Sequence, residues 1–592
     1  MARKGVVLII ALMVMAVILV LIGAYFSSLF TEKRVVDNER FVLQALGLAE
    51  AGLNHAQSEL RERIRIDLVR MINKEKEGKV FNSYVTKEEE EEKKKEKKKK
   101  KKEEEEEGEN NSLGFLRDFA YATGDTQFTV SGDEATLVLS SLNLDTAIQG
   151  NYTAKIIVKA NGAPTNPQND VFVFPYSYMI ESQGSITQTI PATQKTVRLL
   201  QGSFTITVRR DTFAKFALFT NQHRTPTGTI VWFTANTNFT GPLHSNDRFS
   251  FANNPSSRFT EKVTQHLTTA RFYNNGWPRN LNADSNPPYD VPSFRAGFNR
   301  GVNRINLPAS VTQQDLKTQA TGGQDDKHWS SGIYLPNQGN NLVGGIYIKG
   351  DADNLTMGVD GSRPVYTTTQ GENTKRITID YGNLQDPNDD KTIVTDVSGT
   401  GGTSAGTYNG IPEGIDKEGI IIYANGGINN FSGTVQSDTN ITVSSDSDIV
   451  INNHILYQSY SPGSPPDAIG YNNLLGILTW NGNVRIGQSA PDDLNIHGVV
   501  MTAGHNGIFT VDNYQSGSPR GTVTLLGGVI TDFYGPFGTF RGTTPLSGYG
   551  RNFVYDARML QGLSPPYFPY MTYFTSFDDG LDNKLIWQDK GI

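Results

Sequence analysis

Residues 1–31 read MARKGVVLIIALMVMAVILVLIGAYFSSLFT, and this stretch decides how the rest of the chain is organised. After Arg3 and Lys4 no charge occurs before Glu32. The apolar run from Val6 to Phe26, with Ile9, Leu12 and Ile18 inside it, supplies the ~20 residues a helix needs to cross a bilayer. A secretory signal has a shorter apolar core followed by a small-residue cleavage site, so this segment is expected to remain in the mature protein. The two cations ahead of it place a short N-terminus in the cytoplasm and everything beyond it outside. The expectation is a single-pass inner-membrane protein with an exported C-terminus.

The helix does not end at the membrane. Leu46, Ala49, Leu53, Ala56, Leu60, Ile64, Leu68 and Ile72 recur every three or four residues and form one apolar stripe, which predicts a continuous helix over residues 6–78. Such a helix is too long for an isolated globular domain and needs a partner to cover its stripe.

Lys4-Gly5 directly before an apolar helix resembles the processing site of type IV prepilins. By that resemblance residues 1–5 are a leader, Gly5 its last residue and Val6 the first of the mature chain. Gln44, Ala45, Leu48, Ala49, Glu50, Ala51, Gly52 and Leu53 resemble the QAAEAGL segment of PilX-type minor pilins and K-type minor pseudopilins. Most pilins carry Glu at the fifth mature position, whereas this chain has Ile10, a departure shared with the K-type family. The resemblance implies a place at the fibre tip. The partners it implies are other minor and major pilins, a prepilin peptidase, the pilus assembly machinery and the inner membrane.

Residues 79–112 contain the run from Lys87 to Glu109, built of Lys, Glu and a single Gly. No core can form from it, and it reads as a solvated spacer. The chain has 592 residues, no Cys and a formal net charge of −7. Hydrogen-bonded sheet rather than disulfides must therefore hold the exported part together, and thiol catalysis and Cys-ligated metal sites are excluded.

Residues 113–212 carry short alternating runs at Phe128–Val130, Ala135–Leu139, Tyr152–Val158, Tyr176–Glu181 and Thr196–Val208, separated by turn-rich stretches at Asn161–Asn169 and Gly184–Thr193. They predict a small antiparallel sheet. From 213 to 562 the texture becomes strands of four to six residues punctuated by Gly, Asn and Asp, as in Gly345-Ile-Tyr-Ile-Lys-Gly350, Gly419-Ile-Ile-Ile-Tyr423 and Asn440-Ile-Thr-Val443. Repeated strand-plus-turn units of weak identity predict a large parallel β-solenoid, with a β-sandwich as the competing reading. The fold class is thus α+β and mainly β: a long N-terminal transmembrane helix, a small antiparallel pilin-like sheet and a large parallel β-solenoid.

Gly241-Pro-Leu-His-Ser-Asn246, Tyr514-Gln-Ser-Gly-Ser-Pro-Arg-Gly521, Gly535-Pro-Phe-Gly-Thr-Phe540 and the run Tyr555-Asp-Ala-Arg558 to Pro565-Pro-Tyr-Phe-Pro569 resemble the large minor pilins whose solenoid carries the domain of unknown function numbered 4900, a group that includes competence-associated members. That resemblance implies a solenoid inserted in the pilin sheet, with residues 563–592 returning through Lys584–Gln588 as a last strand. Residues 271–321 match no motif and are read as loops.

No arrangement demands catalysis. The eight His residues include no His-Glu-x-x-His pair, and no phosphate loop occurs. Gly402-Thr-Ser404-Ala-Gly406 has the spacing of a nucleophile elbow but lies in a Gly/Ser/Thr loop rather than a strand-to-helix turn. His244 reads as a hydrogen-bonded corner residue. Asp351, Asp353 and Asn354, and the set Asp386, Asn388, Asp389 and Asp390, fall short of a calcium loop, since Lys391 and Val397 stand where Gly and Glu are required. No metal, cofactor or catalytic residue is assigned.

Recognition is the better expectation. Arg271, Arg279, Arg295, Arg300 and Arg304 interleave with Phe272, Trp277, Phe294 and Phe298 against only Asp284 and Asp290. Guanidiniums for phosphates and flat rings for bases suit single-stranded or irregular nucleic acid. Arg271, Arg279, Arg295, Arg300, Arg304, Trp277 and Phe298 are therefore the candidate DNA contacts; the same residues equally suit packing at one end of the solenoid. The competing functions are an adhesin binding surface glycans and an exported carbohydrate-active enzyme, the latter needing a carboxylate pair that no spacing assembles.

Overall fold

The computed structural model describes residues 2–74, 129–131, 134–140, 150–168, 171–186, 194–234, 237–252, 256–274, 276–282, 289–382, 389–460, 471–541, 544–579 and 588–589. The charged segment 79–112 lies outside them. The architecture is mainly β, with one long N-terminal apolar helix and several open sheets. It divides into two units, one made of 1–210 and 573–592, the other of 211–572.

In the first unit a helix runs from Ala2 to Lys74, and among the described residues it is the one helix long and apolar enough to cross a membrane. Its two parts meet different surroundings. Every large apolar side chain from Val6 to Phe30 is exposed, whereas Ala45, Leu48, Ala49, Leu53, Ala56 and Leu60 are buried. Leu46, expected on the stripe, is only half-buried, because the buried face is centred on Ala45 and Leu48 instead. Ile64, Leu68 and Ile72 lie beyond the side chains described.

An eight-stranded sheet covers that face. Its strands are β1 (Thr129–Ser131), β2 (Glu134–Ser140), β3 (Gly150–Ala160), β4 (Thr165–Gln168), β5 (Val171–Ile186), β6 (Gln194–Thr212) and the late segments Tyr570–Asp579 and Gln588–Asp589. The order is β1-β2-β3-β5-β6 followed by Tyr570–Asp579, with Gln588 also pairing antiparallel to Leu199 of β6. Strands from both ends of the sequence thus share one sheet. Alternation places Tyr152, Ala154, Ile156 and Val158 of β3 toward the helix with Phe174, Tyr176 and Ile180 of β5 and Phe204 and Ile206 of β6. Two expected turns are shorter than the sequence suggested: β4 forms inside 161–169, and β5 continues through Gly184 to Ile186.

The second unit opens with β7 (Leu218–Gln222), β8 (Leu243–Ser245), β9 (Arg258–Phe259), β10 (Val263–Gln265), β11 (Ala270–Asn274), β12 (Trp277–Leu281), β13 (Tyr289–Asp290), β14 (Ser293–Phe294) and β15 (Phe298–Arg300). β7, β8, β10 and β15 stack in parallel, aligning Leu218, Leu243, Val263 and Phe298. A second parallel run joins Ile346–Lys349, Ile420–Ala424, Asn440–Ser445, Leu474–Thr479, Val499–Thr502 and Val529–Phe533, and its last strand pairs Val529 with Leu218 of β7. Ile420–Ala424 is buried on both faces, which is why it reads as an unbroken apolar run. A second large sheet combines parallel pairs with an antiparallel ladder built from residues 354–409.

The chain enters and leaves this unit at neighbouring points. Phe213 N donates to Pro569 O at 3.0 Å, and Tyr555 Oη donates to Lys215 O at 2.7 Å. Closely spaced termini are what an inserted domain requires.

Residues 310–321, expected to be loop, form a helix. Its apolar signal is short: Leu316 and Ala320, one turn apart, are its buried apolar contacts, and Ala309 provides no side-chain cap. Gly322 at φ +61° ends it, with Gly323 N donating to Thr318 O at 3.0 Å.

Candidate functional site

The arginine-rich segment is spread over several elements of the second unit. β11 and β12 form a hairpin in which Asn274 faces Trp277 and Phe272 faces Arg279; the link includes Gly276 at φ +80°. β12 is the edge of a three-stranded sheet, and all its residues through Asn280 are exposed. Trp277 is 70% exposed, which for an indole is unusual unless something covers it. Register puts Trp277 and Arg279 on one face. On the other, Arg271 sits 6.0 Å from the ring of Trp232, which in turn meets Tyr273 at 5.3 Å.

The remaining members are less open. Phe298 is 8% exposed and packs against Phe294 at 4.9 Å, so its ring belongs to the core and is not presented for base stacking. Arg300 lies 4.2 Å from that ring and 5.6 Å from Phe272, and burial lowers its guanidinium pKa below the ordinary value, though an arginine stays charged. Arg304 is exposed but donates to Asn221 Oδ1 at 2.8 Å. Trp277, Arg279 and Arg295 are thus the most accessible members.

Arg295 belongs to a second feature that the sequence reading missed. Asn238-Phe239-Thr240, Arg258-Phe259-Thr260 and Ser293-Phe294-Arg295 lie on successive parallel strands. Their phenyl rings stack inward, Phe239 to Phe259 at 6.2 Å and 11°, Phe259 to Phe294 at 5.2 Å and 23°. Outside this column is a shallow hollow of about 410 Å³ lined by Asn238, Thr240, Ser256, Arg258, Thr260 and Arg295, with Phe239 at its base. The polar-Phe-polar triplet at 238–240 and again at 258–260 is the sequence signal that would have found it.

Other candidates have structural partners. His244 is buried, its Nδ1 2.9 Å from Thr264 Oγ1 and its Nε2 3.1 Å from Asn246 Oδ1, and burial lowers its pKa to about 4. Ser404 is exposed in a loop, where its carbonyl accepts from Tyr408 Oη at 2.9 Å. Asp351 accepts from Gly427 N and Asp353 from Gly371 N, each at 2.7 Å, as turn caps do. Asn354 Oδ1 accepts from Asn430 Nδ2 at 2.5 Å. Asp390 accepts from Gly382 N at 3.3 Å, while Asp386 and Asn388 lie outside the described residues. Among the described residues no three His, Asp or Glu side chains group as a metal site would.

A family model described as Domain of unknown function (DUF4900) matches residues 172–266, from β5 through β10. No curated protein matches the chain. Among solved structures, the crystal structure of competence-associated pilin ComZ from Thermus thermophilus is similar at 11% identity and a TM-score of 0.28, covering 77% of this chain and 90% of that one.

Proposed function

We propose that this chain is a minor type IV pilin or pseudopilin, processed between Gly5 and Val6, incorporated near the fibre tip, and presenting its second unit as a recognition body. The observation that carries the reading is the single helix in two environments: an apolar half fully exposed from Val6 to Phe30, and a half packed from Ala45 to Leu60 on an antiparallel sheet. A helix that leaves its first half uncovered needs a bilayer, or neighbouring helices in a fibre, to cover it. Strands from both chain ends in one sheet suit a recognition domain inserted into a pilin headgroup, and the parallel ladders of the second unit are read as coils of a β-solenoid. The reading assigns no catalytic step.

The ligand in this reading is DNA, taken up or captured at the tip. Support comes from the exposed edge strand β12, where Trp277 presents an exposed indole and Arg279 an exposed cation on the same side. The test is a titration of the detergent-solubilised full chain with fluorescent single- and double-stranded DNA across a salt series, beside the Trp277→Ala, Arg279→Ala double variant. Binding that weakens steeply with salt and falls at least tenfold in the variant supports DNA capture. No binding at low salt removes DNA as the ligand and leaves the anchored-pilin reading to be judged on its own test.

A further inference from the structure

We infer that the hollow over the Phe239–Phe259–Phe294 column is a separate binding site for a carboxylate-bearing sugar of an acidic polysaccharide, gripped between Arg258 and Arg295. The site does not depend on β12 or on DNA being a ligand.

Register fixes the two cations. Ser293 pairs with Arg258 in parallel, so Arg295 sits two residues further along the neighbouring strand. With strands ~4.8 Å apart and a rise of ~3.3 Å per residue, the two Cα atoms are roughly 8 Å apart on a diagonal, close enough for two long side chains to converge on one group. Both arginines are exposed and both line the hollow, where no Asp or Glu stands among the described residues.

Elsewhere in this unit Arg224 pairs with Asp247, Arg376 with Asp360, Arg520 with Asp492 and Arg558 with Asp556. Arg258 and Arg295 have no such partner among the described residues. Two like charges held on adjacent strands of one face repel, and an anion between them removes that repulsion. The planar fork of each guanidinium matches a carboxylate bidentately.

The rest of the lining selects among anions. Thr240, Ser256 and Thr260 contribute hydroxyls, and Asn238 accepts from Arg258 N through Oδ1 at 2.9 Å, leaving its amide nitrogen unengaged among the described residues. That is a partner set for a polyhydroxylated ring. The phenyl groups face inward, and Phe239 is 4% exposed, so nothing in the hollow stacks on a nucleobase. The volume of about 410 Å³ is within the range of small-ligand sites and suits one or two sugar units.

The experiment is calorimetric titration of the full chain in detergent with a galacturonate oligomer, a neutral galactose oligomer of equal length, inorganic phosphate and duplex DNA. Wild type, Arg258→Ala, Arg258→Lys and Trp277→Ala are compared. Expected is uronate binding that falls at least tenfold in Arg258→Ala, falls less in Arg258→Lys, is unchanged in Trp277→Ala, and is absent for the neutral oligomer. The inference is overturned if the uronate oligomer does not bind, binds equally to Arg258→Ala, or is matched by the neutral sugar or by phosphate. Duplex DNA showing the stronger dependence on Arg258 would reassign the hollow to nucleic acid. Arg258 is exposed, and an unchanged thermal unfolding midpoint for its variants confirms that any loss is local.

Discussion

A Cβ atom placed on Gly184 would lie 2.0 Å from the carbonyl oxygen of Ala45 and 2.6 Å from the amide nitrogen of Ala49. The sheet therefore touches the helix backbone at this point, and Gly52 makes the same approach from the helix side, its absent Cβ falling 2.2 Å from Ser182 Oγ. Small residues at 45, 49 and 52 thus let helix and sheet approach this closely.

Gly184→Val is expected to destabilise the first unit by about 3 kcal/mol through overpacking. Gly47→Ala, where a Cβ meets nothing within 4 Å, serves as the control and is expected to stabilise the helix by up to about 1 kcal/mol. Hydrogen exchange on β3 and β5 reads the difference: faster exchange in Gly184→Val alone is the predicted result.

Lys375 is fully buried and bonds to Asp396 across the β-ladder of residues 373–398. Asp396→Ala leaves a buried ammonium uncompensated and is expected to cost roughly 3 to 5 kcal/mol, whereas Lys375→Met leaves a carboxylate that is partly open to water and is expected to cost less. Denaturant midpoints of the two variants check this, and equal losses would contradict it.

Acid should destabilise the second unit before its carboxylates titrate. Burial holds the pKa of His223 down at about 3 and those of His244 and His497 at about 4, against 6.5 for an unhindered ring. The folded state then binds fewer protons than the unfolded one, so stability is full above about pH 6.5 and is lost as pH falls toward 4. The loss is on the order of 2 kcal/mol per ring. A Tm that is flat between pH 7 and pH 4.5 would contradict it.

The sequence was most legible where one physical demand dominates. An unbroken apolar run made the helix at residues 6–26 readable, and burial on both faces did the same for Ile420–Ala424 and Leu474–Thr479. It was least legible where partners are remote in sequence. The helix at 310–321 has too few apolar residues to show a period, and Arg258 and Arg295 come to one face only because their strands pair in parallel. Phe298 and Trp277 look alike as aromatic neighbours of arginine, yet one is core and the other open to solvent, a difference set by strand register and absent from composition.

The stacked phenyl column predicts its own sensitivity. Phe259 is fully buried between Phe239 and Phe294, so Phe259→Ala should cost about 3 to 5 kcal/mol and remove the hollow with it. Thermal unfolding together with loss of the uronate signal measures both effects.

The mass of the chain's N-terminal peptide, taken from the membrane fraction of cells that make it, shows whether the N-terminal helix is processed as a pilin helix would be. A processed pilin helix gives an N-terminus at Val6 with residues 6–30 retained. An N-terminus at Met1 or Ala2, or one beyond Phe26 on a released protein, would contradict it.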